Sequence, residues 1–263
     1  VLQEAGVTTG ALINNINMTS TFNFDQGFDT FVYEAPQYPL FASESVFGLT
    51  LYKVVHKVHE KVFGGHKAVQ DFYQPADIVL EHAIRFISDN KDSRWSLFVH
   101  LMEPHDPYFE HPSVMGSGTQ DYNGVGFARA EVEHPSSDPQ NIAYLKRVYH
   151  DEVTFMDRKL RVFFDWMRQQ GIYDNTLVIF TSDHGEEFFE HGGFWHGTTL
   201  YDEQIHVPII VKPPGNAYQG RRVPWQVRSI DIVPTITAAL NIEKPSSWEG
   251  KDMLKDADAY FAT

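Results

Sequence analysis

Two short, almost wholly apolar runs constrain this chain more than anything else in it: Ser96-Leu97-Phe98-Val99-His100-Leu101-Met102 and Thr176-Leu177-Val178-Ile179-Phe180-Thr181-Ser182. Neither shows the alternation of a half-solvated strand, so both read as strands covered on two faces, as in a parallel sheet enclosed by helices. Between them the period changes. Ile142, Leu145, Tyr149, Val153, Met156, Leu160, Phe163 and Met167 advance 25 residues in seven steps, or 3.57 per step, which is the period of an α-helix, about 3.6. Asp138-Pro139 supplies the cap and first-turn proline and Gly171 the stop, which predicts a helix over 139–170. A second helix is expected over 73–89 and a third over 231–240, with further strands at 8–14 and 207–212. Strands alternating with helices predict an α/β fold with a mostly parallel sheet sandwiched between helices. Neither an internal repeat nor a linker interrupts the pattern, so a single domain over residues 1–263 is expected.

Composition narrows the function. The net charge of −14 repels phosphate backbones, which argues against nucleic acid as a partner. With no cysteine there is no disulfide framework, no zinc-thiolate site and no thiol nucleophile. No apolar run approaches the roughly 18 residues of a bilayer span. Residues 1–6 read as the last turn of a helix closed by Gly6, and 258–263 as the start of a strand. The expectation is a piece of a longer protein, cut at both ends. Leu51, Val54, Val55, Val58 and Val62 lie at helical spacing and read as one face of a solvated helix. The polar, Gly-rich stretch 116–137 reads as a surface loop. Asp151, Glu152, Asp157 and Asp165 on the long helix read as surface charges, Asp157 pairing with Arg161 at i, i+4.

In open α/β sheets ligands bind beyond the carboxyl ends of the strands, and both apolar runs end in chemistry. The first leads into Glu103-Pro104-His105-Asp106-Pro107-Tyr108. The second leads into Asp183-His184-Gly185-Glu186-Glu187, with His191-Gly192-Gly193-Phe194-Trp195-His196-Gly197 close behind. Asp183 and His184 put a carboxylate and an imidazole on one turn, where both can face one cation. Oxygen ligands suit calcium or magnesium, and the imidazole shifts the balance toward manganese or zinc. His105, set between Pro104 and Pro107, is held in a fixed direction and suits contact with an anionic oxygen or proton transfer near neutral pH. His196 is a candidate proton donor to a leaving group, and His191 reads as structural.

These residues closely resemble the sulfatase family of the alkaline phosphatase superfamily. The likeness lies in the run from Thr181 to Gly192, in His196-Gly197-Thr198-Thr199-Leu200-Tyr201-Asp202-Glu203, in His206-Val207-Pro208, in Pro104-His105-Asp106-Pro107-Tyr108, and in Asp231-Ile232-Val233-Pro234-Thr235. The resemblance implies an alkaline-phosphatase-like fold and metal-dependent hydrolysis of sulfate esters. It implies one divalent cation, calcium first and manganese, magnesium or zinc as alternatives, held by Asp183 and His184 with two further acidic residues. His105 would contact the anionic group and His196 would stand near the leaving oxygen. The substrate would be a small-molecule or glycan sulfate or phosphate ester.

The chain departs from the family pattern at the nucleophile. The Cys/Ser-x-Pro-x-Arg motif that yields formylglycine is absent, since none of the 14 prolines is followed by Arg two positions later, and there is no Asp-Asp pair. Both are expected upstream of Val1, so this stretch is expected to be inactive alone. A phosphodiesterase, phosphonate hydrolase or phosphoglycol transferase on the same scaffold is the alternative within enzymes, and a non-catalytic binding module the alternative outside them.

Overall fold

The computed structural model describes residues 1–36, 72–106, 108 and 135–255. The amphipathic stretch at 51–62, all but the last three residues of the loop at 116–137, and the strand start at 258–263 lie outside them. The chain divides into two compact units, Thr8–Phe163 and Val1–Val7 with Phe164–Thr263.

The Thr8–Phe163 unit is built on β1 (Thr8–Ile13), which pairs in parallel with β2 (Thr30–Tyr33) on one side and β3 (Trp95–Val99) on the other. Helix α1 (Ala76–Asn90) packs on β1 and β3 through Val79, Leu80, Ala83, Phe86 and Ile87. The tip of β1 is tied to the entrance of that helix. Asn14 Oδ1 accepts the Gln74 N–H at 3.1 Å while its Nδ2 donates to the Gln74 carbonyl at 2.6 Å. The expected two-sided cover of β3 is incomplete, for Phe98 stays 45% exposed.

The long helix α2 (Pro139–Gln169) lies where the period puts it. Asp138 Oδ1 accepts the Gln140 N–H at 2.8 Å, and Gly171 at φ 70° closes the far end. Leu145, Val148, Met156, Phe163 and Met167 are buried. One expectation fails here: Glu152 is not a surface charge but fully buried, at 0% exposure. It falls four residues after Val148 and four before Met156, on the inward stripe, so geometry overrides its polarity. Asp157 and Arg161 do form an exposed pair, at 3.8 Å.

In the other unit, β4 (Val178–Thr181), β5 (Glu187–Phe188), β6 (Phe194–Trp195), the one-turn helix α3 (Asp202–Ile205) and β7 (Ile209–Lys212) follow in order. Here β7 runs antiparallel to β4, with Phe180 opposite Ile210, and β5 and β6 form a hairpin. The three strands around β1 are thus parallel, while β4 and β7 form an antiparallel pair of their own. Lys212 Nζ donates to the carbonyls of Tyr173, Asp174 and Thr176, filling the three sites of an ammonium. Toward the end of the unit, α4 (Ile232–Ala239) starts behind a pinned carboxylate. Asp231 accepts the N–H groups of Lys251 and Arg228, each at 2.9 Å, and the Arg228 guanidinium at 3.2 Å.

Burial pushes the Asp231 carboxyl up, but the Lys251 N–H and the Arg228 contacts outweigh it and hold the pKa below the ordinary value. A depressed carboxyl contributes stability that is present above its unfolded pKa and lost as pH falls through the folded one. Asp231→Ala is therefore expected to cost about 1–3 kcal/mol at neutral pH, with the difference from wild type shrinking in acid. Urea unfolding at a series of pH values measures it, and a pH-independent difference would contradict the pinning.

Candidate active site

Strand β4 delivers its polar tip into a tight turn. His184 N–H donates to Asp183 Oδ1 at 3.1 Å, and that oxygen lies 3.8 Å from His184 Nε2. The His184 Nδ1 atom is 2.9 Å from the Gly185 carbonyl. A carbonyl can only accept, so the ring proton sits on Nδ1 and the lone pair on Nε2, on the side of the Asp183 carboxylate. Asp183 is exposed and His184 half-buried. Two donors each about 2.2 Å from one ion can stand up to about 4.4 Å apart, so the pair fits a shared cation.

The turn is braced by main chain rather than side chains. Gly185 N–H donates to the Gln204 carbonyl at 2.8 Å. A Cβ at position 185 would lie 2.2 Å from the Glu203 carbonyl oxygen. The glycine is demanded by that close approach to α3, not by an unusual backbone conformation.

His196 joins the same group. Its ring stacks on His184 with centroids 3.9 Å apart and planes at 22°. Its Nδ1–H donates at 2.8 Å to Glu186, whose side chain is buried. The Glu186 carboxylate fixes the ring and leaves Nε2 as the nitrogen available for proton transfer. Glu186 was not singled out by sequence reasoning, and its only signal was its place two residues after His184.

Glu187, one position on, faces the opposite way and is 1% exposed. It accepts the N–H groups of His191 (3.1 Å) and Gly193 (2.8 Å) on Oε1 and the Gln204 side-chain amide (2.9 Å) on Oε2. This holds closed the β5–β6 hairpin, which carries Trp195 on its second strand and His196 directly after it. His191 is structural in the sense expected: Nδ1 pairs with Glu203 and the ring lies flat on Tyr201, 3.7 Å between centroids. Glu187, His191 and Glu203 could be mistaken for a metal cluster, but the Glu187 oxygens are already filled by N–H donors.

Asp183, His184 and His196 are thus brought together in one unit. His105 belongs to the other unit, beyond the end of β3. It sits on a turn closed by its own N–H to the Met102 carbonyl at 2.7 Å. Its Nδ1 is 2.5 Å from the Asp106 carbonyl and 3.2 Å from Asp106 Oδ1, which again places the ring proton on Nδ1. Tyr108 of the same segment is fully buried against Tyr149, edge to face at 5.7 Å.

A family model described as Sulfatase matches residues 1–242, and the chain belongs to the sulfatase family of the alkaline phosphatase superfamily. Over 147 residues it is 31% identical to the multifunctional alkaline phosphatase superfamily protein PehA of Trinickia caryophylli, a stretch covering 55% of this chain and 28% of that protein. Over 186 residues it is 27% identical to an ulvan-active sulfatase of Formosa agariphila, covering 69% and 35%. Among solved structures, the phosphonate monoester hydrolase of Agrobacterium radiobacter superposes with a TM-score of 0.63 at 18% identity, covering 96% of this chain and 59% of that one. The chain therefore spans well under two thirds of the relatives it matches. The shared fold is α/β with a parallel sheet flanked by helices.

Removing the three-donor carboxylate should open the hairpin. Glu187→Ala is expected to lower the thermal midpoint, with a cost of about 1–3 kcal/mol for each N–H left buried and unpaired. A midpoint unchanged from wild type in a calorimetric scan would show that the hairpin does not depend on it.

Proposed function

We propose that this chain is the central and later part of a metal-dependent sulfatase-like hydrolase whose substrates are sulfate esters. The observation that carries the reading is the convergence of the Asp183 carboxylate, the Nε2 lone pair of His184 and the carboxylate-held ring of His196 beyond the tip of β4. Asp183 and His184 would hold one divalent cation, calcium being the first expectation and manganese, magnesium or zinc its competitors. When bound, such an ion supplies positive charge to the anionic ester and to an attacking oxygen.

The chain's own residues do the rest. His196, oriented by Glu186, gives the Nε2 proton of its imidazolium to the departing alkoxide, and Glu186 stabilises the positive charge that the ring carries until the transfer leaves it neutral. His105, its Nδ1–H committed to Asp106, donates to a non-bridging oxygen of the ester through Nε2 when the ring carries its second proton. The nucleophile, a formylglycine in the sulfatase reading, is assigned to sequence upstream of Val1, and the 263 residues alone are expected to be inactive. The likeness to PehA, a multifunctional alkaline phosphatase superfamily protein, supports keeping a phosphodiesterase, phosphonate hydrolase or phosphoglycol transferase as the second reading. The residue preceding x-Pro-x-Arg upstream separates them, Cys or Ser favouring sulfate and Thr favouring phosphoryl transfer.

Two measurements on the full-length protein test this. Asp183→Ala is expected to abolish stoichiometric metal, and elemental analysis showing the same metal per chain as wild type would overturn the ligand assignment. His196→Ala is expected to reduce kcat on 4-nitrophenyl sulfate by on the order of 10²–10⁴-fold with metal content retained. A wild-type rate would remove His196 from the chemistry.

A further inference from the structure

Directly before the His105 turn stands a carboxyl group that the reaction outlined above does not use. Glu103 is 3% exposed. Its Oε1 accepts the Ala76 N–H at 2.8 Å, while Oε2 has no hydrogen-bond partner among the described residues. Glu103 is also the second residue of the turn that the His105 N–H closes onto the Met102 carbonyl. Its side chain therefore moors that turn to the first turn of α1, with only Pro104 between the mooring and His105.

Among the described residues, the charged groups that act on Glu103 are acidic. Glu152 approaches from α2, fully buried, and Asp77 from α1, itself paired with Lys159 at 2.8 Å. The buried Tyr73 phenol, just ahead of α1, shares the cluster and is raised by burial first and then by Glu152, Glu103 and Asp106. Two carboxyl groups in a dry core do not both ionise without heavy cost, so one keeps its proton. Burial pushes the Glu103 carboxyl from 4.5 up to about 8, against the Ala76 N–H, and Glu152 pushes the same way as burial.

We propose that Glu103 is a positioning residue for His105: as a neutral acid it holds the 102–105 turn against the amino end of α1, and on ionising it is driven toward water and lets the turn shift. The inference rests on the reading of His105 as the residue that contacts the ester oxygen. It adds a built-in alkaline limit to that reading, set by a group that never touches substrate.

The test uses the full-length protein, 4-nitrophenyl sulfate, and the variants Glu103→Ala and Glu103→Gln. Wild-type kcat/KM is expected to fall with a midpoint near the carboxyl's value of about 8. Glu103→Ala should lose on the order of 10²-fold at neutral pH, the scale of a misplaced group. Glu103→Gln, whose amide oxygen can still accept from Ala76, should recover most of that loss and lack the alkaline fall. A Gln variant as impaired as Ala, or one that keeps the same fall, overturns the proposal.

A second readout stands apart from turnover. The His105 ring resonance in NMR should move with the same midpoint in wild type and stay still there in Glu103→Gln; identical movement in both overturns the proposal. If the protein cleaves no ester at all, the hydrolase reading fails while this resonance still decides the role of Glu103. Stability carries the same sign. The folded state keeps a proton that the unfolded chain releases above its ordinary 4.5, so wild type should weaken relative to Glu103→Gln as pH rises from there to about 8. A constant difference over that range also counts against it.

Discussion

A carboxylate withdrawn from water requires N–H donors around it or a proton on it, and much of this structure is arranged by how that demand is met. Glu187 is given three donors and in return closes the hairpin that carries His196. Asp231 is given two backbone N–H groups and a guanidinium and fixes the start of α4. Glu103 has no donor beyond the Ala76 N–H and its own backbone N–H, and it faces a second buried acid. The first two are saturated and act as fasteners. The third is left with a proton it can lose.

The imidazoles follow a companion rule. In five described histidines, at 82, 105, 184, 191 and 196, Nδ1 lies against a carbonyl or carboxylate oxygen. Each contact selects the tautomer, and each sends the opposite nitrogen away from its anchor. For His184 that nitrogen is on the side of Asp183; for His196 it is the end of a ring already lying against His184. The order of the site comes from these anchors, most of them within two residues in sequence or across a two-strand hairpin.

Much of this was legible in the residues. The apolar runs before Glu103 and Asp183 located two strand tips, and the 3.57-residue spacing located α2 almost to its ends. Asp183, His184 and His196 were legible as a group because each follows a strand or a glycine turn at short range. Glu152 was not, since a charged residue at an inward helical position is read as solvated unless its partners are known. Glu186 and Glu187 look equivalent in sequence, yet Glu186, just ahead of β5, reaches His196 while Glu187, its first residue, takes three N–H groups. The antiparallel direction of β7 was equally hidden, because an apolar run states that a strand exists and not which way it runs.

The turn at Gly185 reaches further than its size. The obstacle a side chain would meet there is the carbonyl of Glu203, a piece of backbone, and backbone cannot rotate aside as a rotamer can. Repacking elsewhere offers no remedy, so position 185 is closed to the other amino acids while the one-turn helix stays in place. The turn that carries Asp183 and His184 and that helix form a single stiff part, and the pair at 183 and 184 moves together with the 202–205 segment.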